Sequence, residues 1–186
     1  TICINTLNAL GWELSSSDPD TAIILSNQAL QLSESYKLSE SSRFTANSLG
    51  NLGAYYYLKG DYPKALDYYL KALSINEKML GEAKSVSGKQ AAQNGIARHL
   101  GNIGSVYYEQ GDYPKALDYY FRALKMAEEL GNKNGIATVL GNIGIVYKEQ
   151  ADYPKVHPAK RDSLLRGALD YYFRALKMDE ELGNKK

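Results

Sequence analysis

Two stretches of this sequence contain residue types that bind phosphate in other proteins. Gly101 to Ser105 reads GNIGS, and Gly88-Lys89 is a glycine-lysine pair. A phosphate-binding loop needs a strand-turn-helix setting and a Gly-Lys-Ser/Thr ending, because backbone amides and the lysine contact the phosphates together. GNIGS lies inside a helical pattern without that ending, and Gly88-Lys89 is followed by Gln90. We therefore do not expect nucleotide binding.

The side chains that could serve as nucleophiles, general bases or metal ligands are scattered along the chain. His99 and His157 are far apart, and neither belongs to a His-Glu-x-x-His spacing. Cys3 has no histidine nearby, and the serines of Ser15 to Ser17 and Ser39 to Ser42 lack a nucleophile-elbow context. We expect a protein that is not an enzyme and that uses no metal or other cofactor.

Tyrosine is the unusual feature of the composition, with 16 tyrosines against 3 phenylalanines and 1 tryptophan. The doublets Tyr68-Tyr69, Tyr119-Tyr120 and Tyr171-Tyr172 could stack nucleobases. The 22 basic and 21 acidic side chains leave a net charge of +1, which is too small to attract nucleic acid over a distance. We expect the tyrosines to pack between helices and expect no nucleic acid partner.

The sequence contains no pattern typical of a membrane segment. The longest apolar run, Ala22 to Leu25, is far shorter than the roughly 20 residues that a membrane-spanning helix needs. The single cysteine excludes an internal disulfide. We expect no membrane insertion. The N-terminus carries neither a basic head nor an apolar signal segment, so the compartment stays open, with the cytoplasm favoured over the periplasm.

Most of the sequence consists of internal repeats, which would position any functional site. Leu100 to Lys115 and Leu140 to Lys155 are 40 residues apart and differ at three positions. Ala116 to Lys133 and Ala168 to Lys185 differ at one position but are 52 residues apart, so Val156 to Gly167 is an insertion. An earlier copy begins at Leu49, and a weaker one precedes it. The copies predict one array with repeats at about 2–38, 39–80, 89–131 and 133–183, and insertions at 76–93 and 156–167.

Each copy has the pattern of two amphipathic helices joined by a tight turn. In the third copy, apolar residues recur at helical spacing from Ile96 to Tyr107 and again from Leu117 to Leu130. Gly111 suits a helix C-terminus, Asp112 suits an N-cap, and Pro114 fits a first helical turn.

Glycines also occur inside the first helices, where each costs about 1 kcal/mol relative to alanine. We expect them to allow close approach of the paired helix, with Ala65, Ala116 and Ala168 facing them and tyrosines filling wider gaps.

These residues resemble the tetratricopeptide repeat pattern. The second copy matches it at Leu52-Gly53, Tyr56, Gly60-Asp61-Tyr62, Ala65, Tyr69 and Ala72-Leu73. The usual period of 34 residues is stretched to about 40, and this longer form is similar to kinesin light chains and to bacterial sensor and regulator proteins. The resemblance implies an all-α fold, a right-handed superhelical solenoid of antiparallel helix pairs. The first copy has Ser15 to Pro19 in place of the Gly-Asp-Tyr turn, as a degenerate or terminal repeat would.

The resemblance further implies that the first helix of each repeat lines a concave groove. Asn51, Asn102 and Asn142 would then point into this groove, with Asn8 as a fourth member if the first copy aligns without a gap. A carboxamide both donates and accepts hydrogen bonds, so such a column could hold the backbone of an extended peptide. The neighbours expected to add selectivity are Ala54, Tyr57, Leu58, Arg98, Ser105, Tyr108, Glu109, Thr138, Ile145, Lys148 and Glu149. The alternative is that the asparagines only complete the packing between adjacent first helices.

The function implied by the resemblance is a scaffold or adaptor that binds a partner peptide in the concave groove. Arg98 and Asn102 partly resemble the carboxylate-clamp version of the family, although Gly50 and Gly101 stand where a clamp has polar or cationic side chains. The alternative function is a sensory or regulatory module of a larger bacterial signalling protein that carries a kinase, cyclase or transcription regulator.

Two segments predict self-association. Pro158 is a suitable helix start, so the insertion 156–167 is expected to extend the last helix and to form a second contact surface or a hinge. The sequence stops at Asn184-Lys185-Lys186, whereas the matching Asn132-Lys133-Asn134 leads into another helix. We expect the helix from Ala168 to Leu182 to leave an apolar face open for a second copy or for a further repeat.

Overall fold

The computed structural model describes residues 2–35, 41–153 and 156–183. Their regular elements are all helices, and these residues contain no strand. The helices are α1 (Ile2–Leu14), α2 (Pro19–Ser35), α3 (Ser41–Leu58), α4 (Tyr62–Glu82), α5 (Val86–Glu109), α6 (Tyr113–Glu129), α7 (Lys133–Asp152) and α8 (Pro158–Glu181). The all-α solenoid predicted from the sequence is confirmed. None of these helices is long and apolar enough to cross a membrane.

The turns inside the second and third helix pairs form as their sequences predict. Gly60 and Gly111 both have a φ of +73°, a conformation that ends the preceding helix and that residues with a side chain rarely adopt. Asp61 and Asp112 then cap α4 and α6, each accepting a backbone hydrogen bond of 3.2 Å from the residue three positions later. Local sequence therefore determines where these hairpins bend.

The stacking of the helices explains which side becomes concave. Each helix packs against the next one along the chain, so four hairpins form a single row. The first helices α1, α3, α5 and α7 also contact one another in succession, whereas no two second helices do so among the described residues. A row whose members approach more closely on one side curves toward that side. The first helices therefore lie on the inner face of the curve.

The main core runs from α4 to α7, through the second, third and fourth hairpins. Ile103 and Val106 of α5 and Ile143 and Val146 of α7 are fully buried, at three-residue spacings that keep each pair on one helix face. Leu124 of α6 joins the same cluster. Truncating a side chain in such a cluster costs about 2–5 kcal/mol of folding stability, so these residues hold the third and fourth hairpins together.

The glycines Gly53, Gly104 and Gly144 inside the first helices pack against tyrosine rings, whereas the sequence predicted alanines opposite them. A Cβ atom on Gly53 would lie 2.6 Å from the ring of Tyr69, and one on Gly104 would lie 2.7 Å from the ring of Tyr120. The same contact recurs between Gly144 and Tyr172. The expected alanines Ala65, Ala116 and Ala168 are buried, but the tyrosine rings are the atoms nearest to these glycines. The reason is that the large ring needs the space that the missing side chain leaves.

The insertions lengthen helices. Segment 76–93 adds to both of its neighbours, since α4 runs to Glu82 and α5 begins at Val86. Most of segment 156–167 belongs to α8, which begins at Pro158. The residues Lys160 to Ser163 at this end of α8 are exposed.

Candidate peptide-binding groove

A cavity of about 530 Å³ opens on the inner face of the curve. The first helices α3, α5 and α7 provide most of its wall, and the second helices α4 and α6 contribute residues at its base. Its polar lining includes Asn47, Arg98, Asn102, Ser105, Thr138 and Asn142. Five of these six were candidates from the sequence, and the structure brings them together around one opening.

The charged residues described along this cavity are basic. Arg43 and Arg98 line it, and no carboxylate lines it among the described residues. The guanidinium of Arg98 donates a 3.0 Å hydrogen bond to the side-chain oxygen of Asn47 and forms no ion pair with a described residue. A guanidinium held in place by one neutral partner keeps further N–H donors for an anion. The cavity therefore favours a negatively charged group.

Asn102 and Asn142 differ from the other polar residues of the cavity. Their side chains are half-buried and form no hydrogen bond with any residue that the structure describes. Ser105, by contrast, donates to the Gly101 carbonyl at 3.2 Å and accepts from the hydroxyl of Tyr120 at 3.1 Å. Two unpaired carboxamides side by side offer both donors and acceptors to a ligand.

Asn51 and Asn8 belong to the packing between helices. Asn51 donates to the Asn8 side chain at 3.4 Å, and Asn8 donates to the hydroxyl of Ser48 at 2.9 Å. Asn8 is buried, so the structure does not place it in the groove. Its position in the repeat explains this, because Gly11 packs against α2 as Gly53 packs against α4. Aligning these glycines puts Ala9 at the position of Asn51 and puts Asn8 one residue earlier.

A smaller cavity of about 130 Å³ lies toward the C-terminal ends of the first helices. Tyr57, Tyr108, Glu109 and Ile145 line it together with Ser105 and Asn142. Burial and the neighbouring Glu109 carboxylate raise the pKa of Tyr57, so its hydroxyl stays protonated and donates to Glu109 at 3.2 Å. The groove is thus polarised across its width, with arginines and amides on one side and a carboxylate on the other.

The remaining candidates lie beside these cavities. Lys148 pairs with Asp152 at 3.1 Å and with Glu149 at 3.6 Å, and it lines neither cavity. Ala54 is half-buried, and Leu58 is exposed near the end of α3.

Arg43 and Asn47 also line the large cavity, although the sequence pattern did not predict them as groove residues. The repeat register contained the signal for Asn47. It stands six residues before the hairpin glycine Gly53, as Arg98 and Thr138 do before Gly104 and Gly144.

Among the residues that the structure describes, the groove holds no cluster of three or more His, Cys, Asp or Glu side chains that could bind a metal ion. His99 lies in the joint between hairpins, against Gly50 and 6.3 Å from the ring of Tyr69. Its two ring nitrogens are buried and have no hydrogen-bond partner among the described residues. Burial lowers the pKa of His99 to about 3, so the imidazole is neutral near pH 7.

The family model of the tetratricopeptide repeat matches residues 11–78 and 95–164. The chain belongs to the tetratricopeptide repeat family. The helix hairpins, the Gly-Asp-Tyr turns and the concave row of first helices are the corresponding structural features. Arrays of this kind expose extended concave surfaces on which they bind other proteins.

A curated relative and two solved structures illustrate the likeness. Tetratricopeptide repeat protein 29 of Trypanosoma brucei brucei (strain 927/4 GUTat10.1) is 30% identical over 158 residues, which cover 69% of this chain and 32% of that protein. The chain thus spans about a third of the length of this relative.

BtubC (BKLC) from P. vanneervenii is 17% identical with a TM-score of 0.64, covering 98% of this chain and 81% of its own. The Rap conjugation gene regulator of the plasmid pLS20, in complex with the Phr* peptide, is 18% identical with a TM-score of 0.62. That match covers 92% of this chain and 52% of the regulator. These two likenesses show the fold alone.

Proposed function

We propose that this chain is a scaffold that binds an extended, acidic peptide segment of a partner protein in the groove formed by α3, α5 and α7. The observation that carries the proposal is the pair of unpaired amides, Asn102 and Asn142, beside Arg98 in a cavity that no described carboxylate lines. Its volume of about 530 Å³ lies within the range of about 300–1,000 Å³ typical of ligand sites.

Each part of the cavity has a different task in this proposal. The carboxamides of Asn102 and Asn142 bind backbone N–H and C=O groups, which every peptide presents, so they add affinity without sequence selectivity. Arg98 supplies selectivity because a guanidinium forms short, charge-assisted hydrogen bonds with a carboxylate. The Glu109 side of the groove disfavours a second acidic side chain there, since like charges repel.

The alternative role of the asparagines, packing between first helices, fits Asn51 but not the other two. Asn51 is hydrogen-bonded to Asn8 of the neighbouring first helix. Asn102 and Asn142 form no such bond within the described residues. Asn51 therefore offers a control in the same repeat position whose amide already has a partner.

The test uses three fluorescein-labelled glycine-serine peptides of ten residues, with both ends blocked. They carry three glutamates, three glutamines or three lysines at the same places. Fluorescence anisotropy should show the glutamate peptide binding most tightly and the lysine peptide most weakly. Changing Asn102 and Asn142 together to alanine should weaken the glutamate peptide about tenfold, the effect of losing about 1.4 kcal/mol.

The Asn51→Ala variant is the matched control and should change the affinity by less than about twofold. Arg98→Gln should reduce the affinity for the glutamate peptide to that for the glutamine peptide. Circular dichroism should report equal helicity for all variants. If the double alanine variant binds the glutamate peptide as the wild type does, the proposed site is wrong.

The second candidate is a regulatory module in which peptide binding changes the curvature of the array. What favours it is the likeness in fold to the Rap conjugation gene regulator, which was solved with the Phr* peptide bound. Small-angle X-ray scattering distinguishes the two candidates. A regulatory module should change its radius of gyration when the glutamate peptide saturates the groove, whereas a passive scaffold should keep it.

A further inference from the structure

Trp12 is the single tryptophan of the chain, and its side chain is 59% exposed on α1. An exposed tryptophan is uncommon, since its large apolar surface is normally covered, and tryptophan is enriched among the residues that dominate binding energies. The groove described above does not include it. Its place in the repeat register shows which face of the array it occupies.

Two independent contacts establish that register. A Cβ atom on Gly11 would lie 3.1 Å from the Tyr55 hydroxyl of α3, and 3.2 and 3.5 Å from Ala22 and Ser26 of α2. Gly53 packs in the same way against α4 in the next hairpin, where it meets the ring of Tyr69. In addition, Asn8 bonds to Ser48 across the first joint, where Gly50 meets His99 across the second. Both contacts align residue 11 with residue 53 and residue 8 with residue 50.

In this register Trp12 corresponds to Ala54, Ser105 and Ile145, the residues that directly follow the hairpin glycines. Ser105 and Ile145 line the groove cavities. Trp12 thus stands at the end of the same row, two hairpins away from Arg98 on α5. On the helix between them, α3, the corresponding residue is Ala54, whose side chain is small.

The exposure of Trp12 differs in cause from that of its neighbour Leu10. Leu10 is 44% exposed, while the corresponding Leu52, Ile103 and Ile143 are fully buried against the preceding hairpin. Leu10 is therefore exposed because no described hairpin precedes α1. The counterparts of Trp12 stay at least partly accessible even where a preceding hairpin is present, since Ile145 is 38% exposed and Ala54 and Ser105 are half-buried. Trp12 therefore lies on a face that a preceding hairpin does not fully cover.

We infer that Trp12 forms the apolar end of the binding groove and that the bound peptide carries an apolar side chain for it, about six or seven residues from the acidic side chain at Arg98. Adjacent helices pack about 8–10 Å apart, so α1 and α5 are separated by roughly 16–20 Å across the groove. Arg98 also lies seven residues before Ser105, the counterpart of Trp12, which adds roughly 10 Å along the helix. An extended chain covers the combined distance of roughly 19–23 Å in about six or seven residues at about 3.3 Å each. The inference rests on the proposed function and adds a spacing rule to it.

The test uses end-blocked, fluorescein-labelled peptides with one phenylalanine and two adjacent glutamates, separated by one, five or nine glycine-serine residues, in both orders. A parallel set carries serine in place of the phenylalanine. The wild type should bind the phenylalanine peptide with the five-residue spacer about tenfold more tightly than its serine partner, in one order. That peptide alone should also shift the fluorescence of Trp12.

The Trp12→Ala variant should lose this tenfold advantage and bind the serine peptides unchanged. Leu10→Ala is the matched control, because Leu10 is exposed on a different face of the same helix, and it should leave every affinity as it is. Equal helicity by circular dichroism is expected for both variants, since neither side chain is buried.

The failures of the two proposals are distinguishable. If Arg98→Gln weakens all glutamate peptides while Trp12→Ala matches the wild type at every spacer and in both orders, the Trp12 inference is wrong and the proposed groove stands. An affinity gain from phenylalanine that is equal at all three spacers would also overturn the spacing rule. If no glutamate peptide binds the wild type, the proposed function fails and the inference fails with it.

Discussion

The third and fourth hairpins have nearly the same sequence but differ in structure at the turn. Leu100 to Lys115 and Leu140 to Lys155 differ at three positions. In the third hairpin α5 ends at Glu109, and Asp112 caps α6. In the fourth, α7 continues to Asp152, the counterpart of that cap. The fourth hairpin thus has a longer first helix, followed by the insertion 156–167, in place of the tight turn.

Two of the three substitutions favour the longer helix. Gly111, at φ +73°, is replaced by Ala151, and a residue with a Cβ atom disfavours the left-handed conformation that the turn needs. Tyr108 is replaced by Lys148, which pairs with Asp152 at 3.1 Å one turn later on the same helix. Asp152 also approaches Arg161 of α8 at 3.5 Å. The same aspartate thus caps a helix in one hairpin and forms ion pairs in the other.

The second helices of these hairpins show the effect of context even more clearly. Ala116 to Lys133 and Ala168 to Lys185 differ only at Ala127 and Asp179. Leu124 of α6 is 6% exposed because α7 covers it, whereas the corresponding Leu176 of α8 is 52% exposed. The expected open apolar face of α8 is present in the structure. The local sequence builds the helix, and the neighbouring hairpin determines which side chains become core.

The largest expected effect is the contrast between Leu124→Ala and Leu176→Ala. The first substitution should lower the free energy of unfolding by about 2–5 kcal/mol, because it leaves a cavity between two hairpins. The second should lower it by less than about 0.5 kcal/mol, as for an exposed site. Urea unfolding followed by circular dichroism measures both, and equal losses would contradict the proposed role of context.

His99 makes the stability of the fold sensitive to acid, and the fourth hairpin has Val139 at the same position. The pKa of His99 of about 3 in the fold lies below the value of about 6.5 in an unfolded chain, so the unfolded state binds the proton more readily. The stability should therefore fall as the pH decreases from about 6.5 toward 3, by about 1.4 kcal/mol per pH unit from this group.

The matched substitution is His99→Val, since Val139 is the fourth hairpin's counterpart. The variant should lose this part of the pH dependence, whatever its stability at pH 7. Urea unfolding at pH 7, 6, 5 and 4 measures the slope. Parallel pH profiles for the wild type and the variant would contradict the assignment.

Gly111→Ala tests the turn itself. Because a Cβ atom on Gly111 meets no atom within 4 Å, the cost is conformational and should be about 1–2 kcal/mol. Gly60→Ala in the second hairpin has the same φ and the same open surroundings, and it should show the same loss. Thermal unfolding measures both variants, and an unchanged midpoint would show that the turn does not need glycine.

The two aspartates provide a smaller contrast. Asp112→Ala removes the N-cap of α6 and should lower Tm. Asp112→Asn should keep most of the stabilisation from the cap, because asparagine also caps helices. Asp152→Ala removes only exposed ion pairs and should change Tm less.

The capping interaction of Asp112 should also depend on pH. The hydrogen bond and charge of Lys115 lower the pKa of Asp112, so the stabilisation by the charged cap should disappear only as the pH falls below about 3.8 through that lowered value.

Self-association through α8 or segment 156–167 stays a prediction. Phe173 is 66% exposed and its counterpart Phe121 is 38% exposed. Light scattering at increasing concentration should show a rising average mass for the wild type and a smaller rise for Phe173→Ser. Deleting 156–167 while keeping the turn sequence tests the other surface. A constant monomer mass at all concentrations would contradict the prediction.

The sequence was most informative where the interactions are local. The period of about 40 residues, the capping aspartates and the turn glycines predicted the helix hairpins, because each depends on residues a few positions apart. Arg98, Asn102 and Asn142 could be proposed as groove residues because their repeat positions place them on the first helices. The register of the degenerate first repeat was harder to establish, which is why Asn8 was proposed and Trp12 was not.

The sequence by itself determined the set of helices and the positions of the turns that join them into hairpins, since the hydrogen bonds and caps within one hairpin depend on residues close together in the chain. The tertiary structure decided which asparagine amides have a partner among the described residues, because the partner of Asn51 lies on a different hairpin. It likewise decided that Leu124 is core and Leu176 is surface. Burial and pairing depend on what the neighbouring repeat presents, and identical segments therefore acquire different roles in different places.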